Sequence, residues 1–144
     1  MLFFTGFSRT ASQIAEHQIK NIPHKKQELS RMYELVHEAV SVLRGNNLVK
    51  FGRLLDESWK LKRTLSDKVS TAQIDDLYTT ALRAGALGGK LLGAGGGGFV
   101  LFFVEPHKKV QVREALKNFL EVPVKFENLG SQIIFYQPNS GFIK

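Results

Sequence analysis

Apolar residues along the chain follow a helical period through the first half, change to an extended block near residue 86, and return to a helical period only briefly before the tail. Leu2-Phe3-Phe4-Thr5 is a short apolar run closed by Gly6, which predicts a strand. Ser8 or Thr10 is placed to cap the next segment, where Ile14, Ala15, Gln18 and Ile19 share one helical face until Pro23 ends it. From Lys25 to Arg44 the residues Leu29, Met32, Tyr33, Val36, Val40 and Leu43 recur at three and four, predicting a helix whose stripe faces the core and which stops at Gly45. Asn46 or Asn47 caps a third helix, with Leu48, Phe51, Leu54, Leu55, Ser58 and Leu61 inward and Asp56, Glu57, Lys60 and Arg63 outward. Its Trp59, four residues after Leu55, is expected to be a core anchor. Ser70-x-x-Gln73 has capping-box form and precedes Ile74, Leu77, Tyr78 and Ala81, which carry a fourth helix to Gly85.

The second half is built differently. A strand ending at Lys90-Leu91-Leu92 is expected to lead into Gly93-Ala94-Gly95-Gly96-Gly97-Gly98, and the unbroken run Phe99 to Val104 predicts a buried strand. Pro106 suits the first turn of a fifth helix, carried by Val110, Arg113, Ala115, Leu116, Phe119 and Leu120. Val122 to Phe126 and Gln132 to Tyr136 predict two strands joined at Asn128-Leu129-Gly130-Ser131, and Pro138 to Lys144 a fraying end. A run of helices followed by a β-α-β-β unit predicts an α+β fold: a ferredoxin-like unit whose antiparallel sheet packs against a helical layer.

Composition narrows the function classes. At 144 residues and 43% hydrophobic content, positions 1–144 are expected to form a single domain. The absence of cysteine removes thiol chemistry. The short apolar runs argue against a membrane span, and the first residues lack a charged leader, so a cytoplasmic chain is expected. The net charge of +7, from 20 Lys+Arg against 13 Asp+Glu, suits anionic ligands. The basic residues are scattered and accompany no recognisable nucleic-acid module, so no nucleic-acid partner is expected. His37 lies outside the apolar stripe beside Glu34 and Glu38, and His17 and His24 have no carboxylate or histidine at metal-ligand spacing, so every histidine is expected to be structural or solvent-facing. Asp75-Asp76 in the first turn of a helix is explained by the macrodipole. Neither a metal ligand nor a catalytic residue is therefore assigned within the chain.

The glycine cluster is the one strong chemical signal. Dense glycine lets several N–H groups converge on one point, which binds phosphate oxygens without charged side chains. Gly93-x-Gly95-x-x-Gly98 matches the dinucleotide fingerprint as a string, but a strand rather than a helix follows it. A P-loop fails because Lys90 precedes the glycines instead of closing them, and a protein-kinase loop fails because no companion motifs follow. A tight turn between two strands is the plain alternative.

Lys90-x-x-Gly93-Ala94-Gly95-x-Gly97-Gly98, followed by a strand, resembles the third conserved motif of the GHMP kinases, the superfamily of galactokinase, homoserine kinase and mevalonate kinase. The flanking Leu77-Tyr78 and Ala84-Gly85-Ala86-Leu87-Gly88-Gly89 resemble the sugar-kinase branch that includes the D-glycero-D-manno-heptose 7-phosphate kinases, and the resemblance runs from about Phe3 to Pro138. It implies the fold of the GHMP kinase C-terminal domain and transfer of phosphate from ATP, with Mg²⁺, to a sugar or sugar phosphate. Lys90, Gly93, Ala94, Gly95, Gly96, Gly97 and Gly98 would lie near the phosphates, and Arg9 would meet a substrate phosphate. The family's nucleotide loop and catalytic Asp belong to an N-terminal domain without a counterpart here. The chain is accordingly expected to be a C-terminal half, silent alone, with an apolar face that awaits the N-terminal kinase domain or drives a homodimer. A stand-alone ferredoxin-like module for ligand binding or regulation is the alternative expectation.

Overall fold

A computed structural model describes residues 1–7 and 10–136. The elements run β1 (Leu2–Phe4), α1 (Ala11–Asn21), a 3₁₀ turn (Ile22–His24), α2 (Lys26–Arg44), α3 (Leu48–Thr64), α4 (Ala72–Arg83), β2 (Ala86–Leu91), β3 (Phe99–Val104), a 3₁₀ turn (Pro106–Lys108), α5 (Lys109–Ala115) and β4 (Leu120–Val122). The strands form one antiparallel sheet in the order β2-β3-β1-β4. This is the ferredoxin-like β-α-β-β-α-β order, with α1 to α4 filling the first helical connection.

Register decides what each sheet face does. Phe3 pairs with Val100, Leu91 with Val100, and Gly89 with Phe102, so Phe3, Leu91, Val100 and Phe102 project to one side. All four are at most 1% exposed and share a core with Ile74, Leu77, Tyr78 and Ala81 of α4 and Val112 of α5. Trp59 of α3, fully buried, stacks at a tilt on Tyr78, which in turn meets Phe102. Burying a side chain of that size contributes on the order of 2 kcal/mol or more, so Trp59 is the anchor its spacing predicted. On the other face, Met1, Leu101 and Phe103 line an apolar trough of about 500 Å³ with Leu48, Phe51 and Leu55 of α3.

Helix α3 shields the open edge of β2. Gly52 packs against Leu87 and Phe103, Gly88 sits under the Gly52 carbonyl, and Lys62 reaches the carbonyl of Gly93. Ten residues of helix rise about 15 Å and five of strand about 16 Å, so α3 and β2 keep pace along their lengths. A helix laid along a sheet edge removes a site of unwanted pairing.

Five expectations are corrected. The final strand of the sheet is Leu120–Val122, not Val122 to Phe126, because pairing with β1 sets it: Leu2 meets Val122 and Phe4 meets Leu120. Helix α5 therefore stops at Ala115 instead of running to Leu120. Gln132 to Tyr136 forms no strand, since it pairs with no backbone among the described residues, and Ile134 is 96% exposed. In α2 the buried residues are Leu35 and Val42, packed with Leu54 of α3, whereas Tyr33, Val36, Val40 and Leu43 are exposed. Leu35 and Val42 lie outside the expected stripe, so packing against α3 turns a neighbouring face of α2 inward. Caps are more local still: Asn47 accepts from the Lys50 N–H, and Thr71 rather than Ser70 caps α4, accepting from the Ile74 N–H while Ser70 donates to Asp75.

Candidate functional site: the β2–β3 glycine loop

The hairpin between β2 and β3 is closed by the Leu92 N–H donating to the Phe99 carbonyl at 2.8 Å. Between them Gly93, Gly95, Gly96 and Gly98 take φ of 70°, 127°, 76° and 101°, values that L side chains rarely adopt. Positive φ is thus a requirement of the loop path itself.

Neighbouring elements fasten the loop from beneath. The Gly96 N–H donates to the Val69 carbonyl at 2.9 Å, and a Cβ on Gly95 would meet the Val69 backbone at 2.8 Å. The Gly98 N–H donates to Phe7 O at 2.9 Å and to Thr5 Oγ1 at 3.0 Å, while the Thr5 N–H returns a bond to Gly98 O at 2.8 Å. The Phe7 ring lies where a Gly97 side chain would go. Lys62 Nζ donates to the Gly93 carbonyl, and Gln18 Nε2 donates to the Ala94 carbonyl at 2.7 Å. Helix α1, which carries Gln18, is itself tied down by Asn21 Nδ2 donating to Leu65 O at 2.7 Å.

What is left over defines the site. Among the described residues, the N–H groups of Gly93, Ala94, Gly95 and Gly97 have no protein acceptor. A Cβ placed on Gly93 or Gly98 would find nothing within 4 Å, so this side of the loop is open. Unpaired amides on open, left-handed backbone make an anion-binding concavity.

The local charge has the matching sign. Lys62 is only 9% exposed, and burial together with the nearby charge of Lys90 pulls its ammonium down to about 8. No carboxylate among the described residues pairs with Lys62 or Lys90. The structure therefore brings Lys90 and Gly93 through Gly98 together, and adds Lys62. Arg9 lies outside the described residues. Asp75 is occupied by Ser70 and Arg63, and Trp59 is inside the core. Tyr78 donates its hydroxyl proton toward Asp56 or Gly89 O and accepts from the Gly89 N–H; burial and Asp56 push it well above the ordinary phenol range, so it stays protonated and clamps β2. No cluster of three metal-ligating side chains occurs among the described residues, and no helix there is long and apolar enough to cross a membrane.

Sequence reasoning missed Lys62, Gln18, Thr5 and the Val69 carbonyl. Lys62 sits in the run Lys60-Leu61-Lys62-Arg63, which has the look of a solvated face. Only the course of α3 along β2 buries it.

Comparison with known proteins agrees with this architecture. The profile described as "GHMP kinases C terminal" matches residues 32–122, and the chain belongs to that family. It is 35% identical over 120 residues to a D-glycero-alpha-D-manno-heptose 7-phosphate kinase of Campylobacter jejuni, covering 81% of this chain and 35% of that protein. It is 32% identical over 122 residues to a mevalonate kinase of Thermococcus sibiricus, covering 79% of this chain and 36% of the relative. The mevalonate kinase of L. major, solved in complex with R-mevalonate, superposes with a TM-score of 0.70 at 24% identity, over 81% of this chain and 37% of the other, and shares the fold. The chain thus spans about a third of the length of each of these two relatives.

Proposed function

We propose that the chain is the C-terminal part of an ATP-dependent small-molecule kinase that phosphorylates a sugar phosphate of the heptose 7-phosphate class, with the Gly93–Gly98 loop cradling phosphoryl oxygens. The observation that carries this reading is the set of unpaired amides at Gly93, Ala94, Gly95 and Gly97 on an open face, beside Lys62 and Lys90. Phosphoryl transfer asks the protein mainly to position reactants and to stabilise charge. Oriented amides do this without reorganising during the reaction. Likeness to the heptose 7-phosphate kinase favours a phosphorylated sugar over mevalonate as acceptor.

The fit to phosphate is good, since the loop offers donors, open space and positive potential. For Mg²⁺ the described residues offer no ligand cluster, so no step is assigned to a metal held by this chain. In this reading an N-terminal kinase domain supplies the nucleotide loop and the catalytic carboxylate. The apolar trough beside Leu48, Phe51 and Phe103 and the exposed run Ile133 to Tyr136 are apolar surfaces available for that contact.

ADP release from ATP, Mg²⁺ and D-glycero-D-manno-heptose 7-phosphate, compared with L-fucose and mevalonate, tests the assignment. The chain alone should give no turnover, and the chain joined to a GHMP N-terminal kinase domain should turn over the heptose phosphate best. Turnover by the chain alone, or preference for mevalonate in the joined protein, would overturn it.

A further inference from the structure

Two side chains missed in the sequence contact the loop in a way that bears on its amides. A trans peptide unit is planar, and its C=O and N–H point in opposite directions. Lys62 fixes the Gly93 carbonyl from α3, and Gln18 fixes the Ala94 carbonyl from α1. The next N–H in each peptide belongs to Ala94 and Gly95 respectively, and both are without an acceptor among the described residues. Holding the two carbonyls therefore aims two consecutive amides away from the protein.

We infer that Lys62 and Gln18 are positioning residues that preset the Ala94 and Gly95 N–H groups for an anion, without themselves touching it. The inference rests on the phosphate-cradle reading of the loop. Ordering one residue of backbone costs roughly 1–2 kcal/mol, and a glycine-rich loop left free would charge that ordering against binding. Lys62 adds a second effect. A charge-assisted bond to a carbonyl is stronger than a neutral one, and it polarises the peptide so that its own N–H becomes a better donor. A buried lysine without a carboxylate would otherwise be unfavourable. Lys62 and Gln18 come from different helices, so the loop geometry depends on α1 and α3 both being docked.

The test uses the 144-residue chain labelled with ¹⁵N and ¹³C, with inorganic phosphate as the probe. In the parent protein, phosphate should move the Ala94 and Gly95 amide resonances. Lys62→Met should shift the Gly93 carbonyl carbon before any phosphate is added and weaken phosphate binding about tenfold, the size of one charge-assisted hydrogen bond. Gln18→Ala should do the same at the Ala94 carbonyl, weakening binding about threefold. Lys90→Met should weaken binding by lost charge while leaving both carbonyl resonances in place. Gln18 is half-exposed on α1, so its variant keeps the test open if Lys62→Met unfolds. Should phosphate leave the parent amides unmoved, the cradle reading fails and takes this inference with it. If the parent responds but Lys62→Met and Gln18→Ala bind equally well with unshifted carbonyls, the cradle stands and the positioning role is wrong.

Discussion

The chain contains two glycine groups within a dozen residues, and they are glycine for different reasons. In β2, Gly88 and Gly89 have ordinary strand conformations, yet a Cβ on Gly88 would sit inside contact distance of the Gly52 carbonyl, and one on Gly89 would strike Leu101 O and Phe102. Packing forbids a side chain there. In the loop, Gly93 and Gly98 have free space around them, and the backbone's left-handed φ is what excludes other residues. Gly95 combines both constraints. The difference separates glycines that hold α3 against β2 from glycines that leave room for something outside the protein, and substitutions should divide along that line.

Gly88→Ala should have the largest effect on stability, because the added Cβ would strike the Gly52 carbonyl and the Asp56 backbone of α3, and α3 must move away from β2. Overpacking of this kind costs about 3 kcal/mol, read as a fall in the urea midpoint. Gly95→Val should cost about 2 kcal/mol through its clash with the Val69 backbone, and should also abolish phosphate binding; parental affinity in that variant would mean the loop is only a turn. Gly93→Ala should cost only about 1 kcal/mol, the strain of a left-handed alanine, while still weakening phosphate binding. A Gly93→Ala protein as unstable as Gly88→Ala would erase the distinction between the two groups.

A smaller effect concerns pH. Burial, then the charge of Lys90, lowers the Lys62 ammonium to about 8 in the folded protein, against an ordinary value near 10.5. Between those values the unfolded chain binds more protons than the folded one, so stability should rise with pH across this window. Phosphate affinity should move the opposite way, falling as Lys62 loses its charge above about 8. Lys62→Met should flatten both slopes in denaturant and binding measurements made from pH 7.5 to about pH 10.

How much of this was legible in the sequence follows the range of the interactions concerned. The helices and the β2–β3 hairpin are recorded in local periodicity and in the Gly93–Gly98 cluster, and the structure has them. The extent of β4 was not legible, because Leu116, Phe119 and Leu120 continue a helical spacing that only pairing with β1 interrupts. Gln132 to Tyr136 shows the converse: its strand-forming side chains make no strand where no backbone among the described residues pairs with them. The loop itself was visible as a motif, but its support was not. Lys62 and Gln18 lie 31 and 76 residues from the carbonyls they hold, and nothing in their own neighbourhoods marks them. A lysine beside Lys60 and Arg63 is buried by the course of α3, a tertiary fact with no local signature.

The central claim is that the loop amides, and not the strand glycines, meet the phosphate. Titrating the ¹⁵N-labelled chain with inorganic phosphate tests it in one spectrum, with Gly85, Gly88 and Gly89 as internal controls. The amides of Gly93, Ala94, Gly95 and Gly97 should shift together along one saturable curve while those of Gly85, Gly88 and Gly89 stay in place. Shifts spread evenly over both groups, or confined to lysine-rich surfaces away from the loop, would contradict the account.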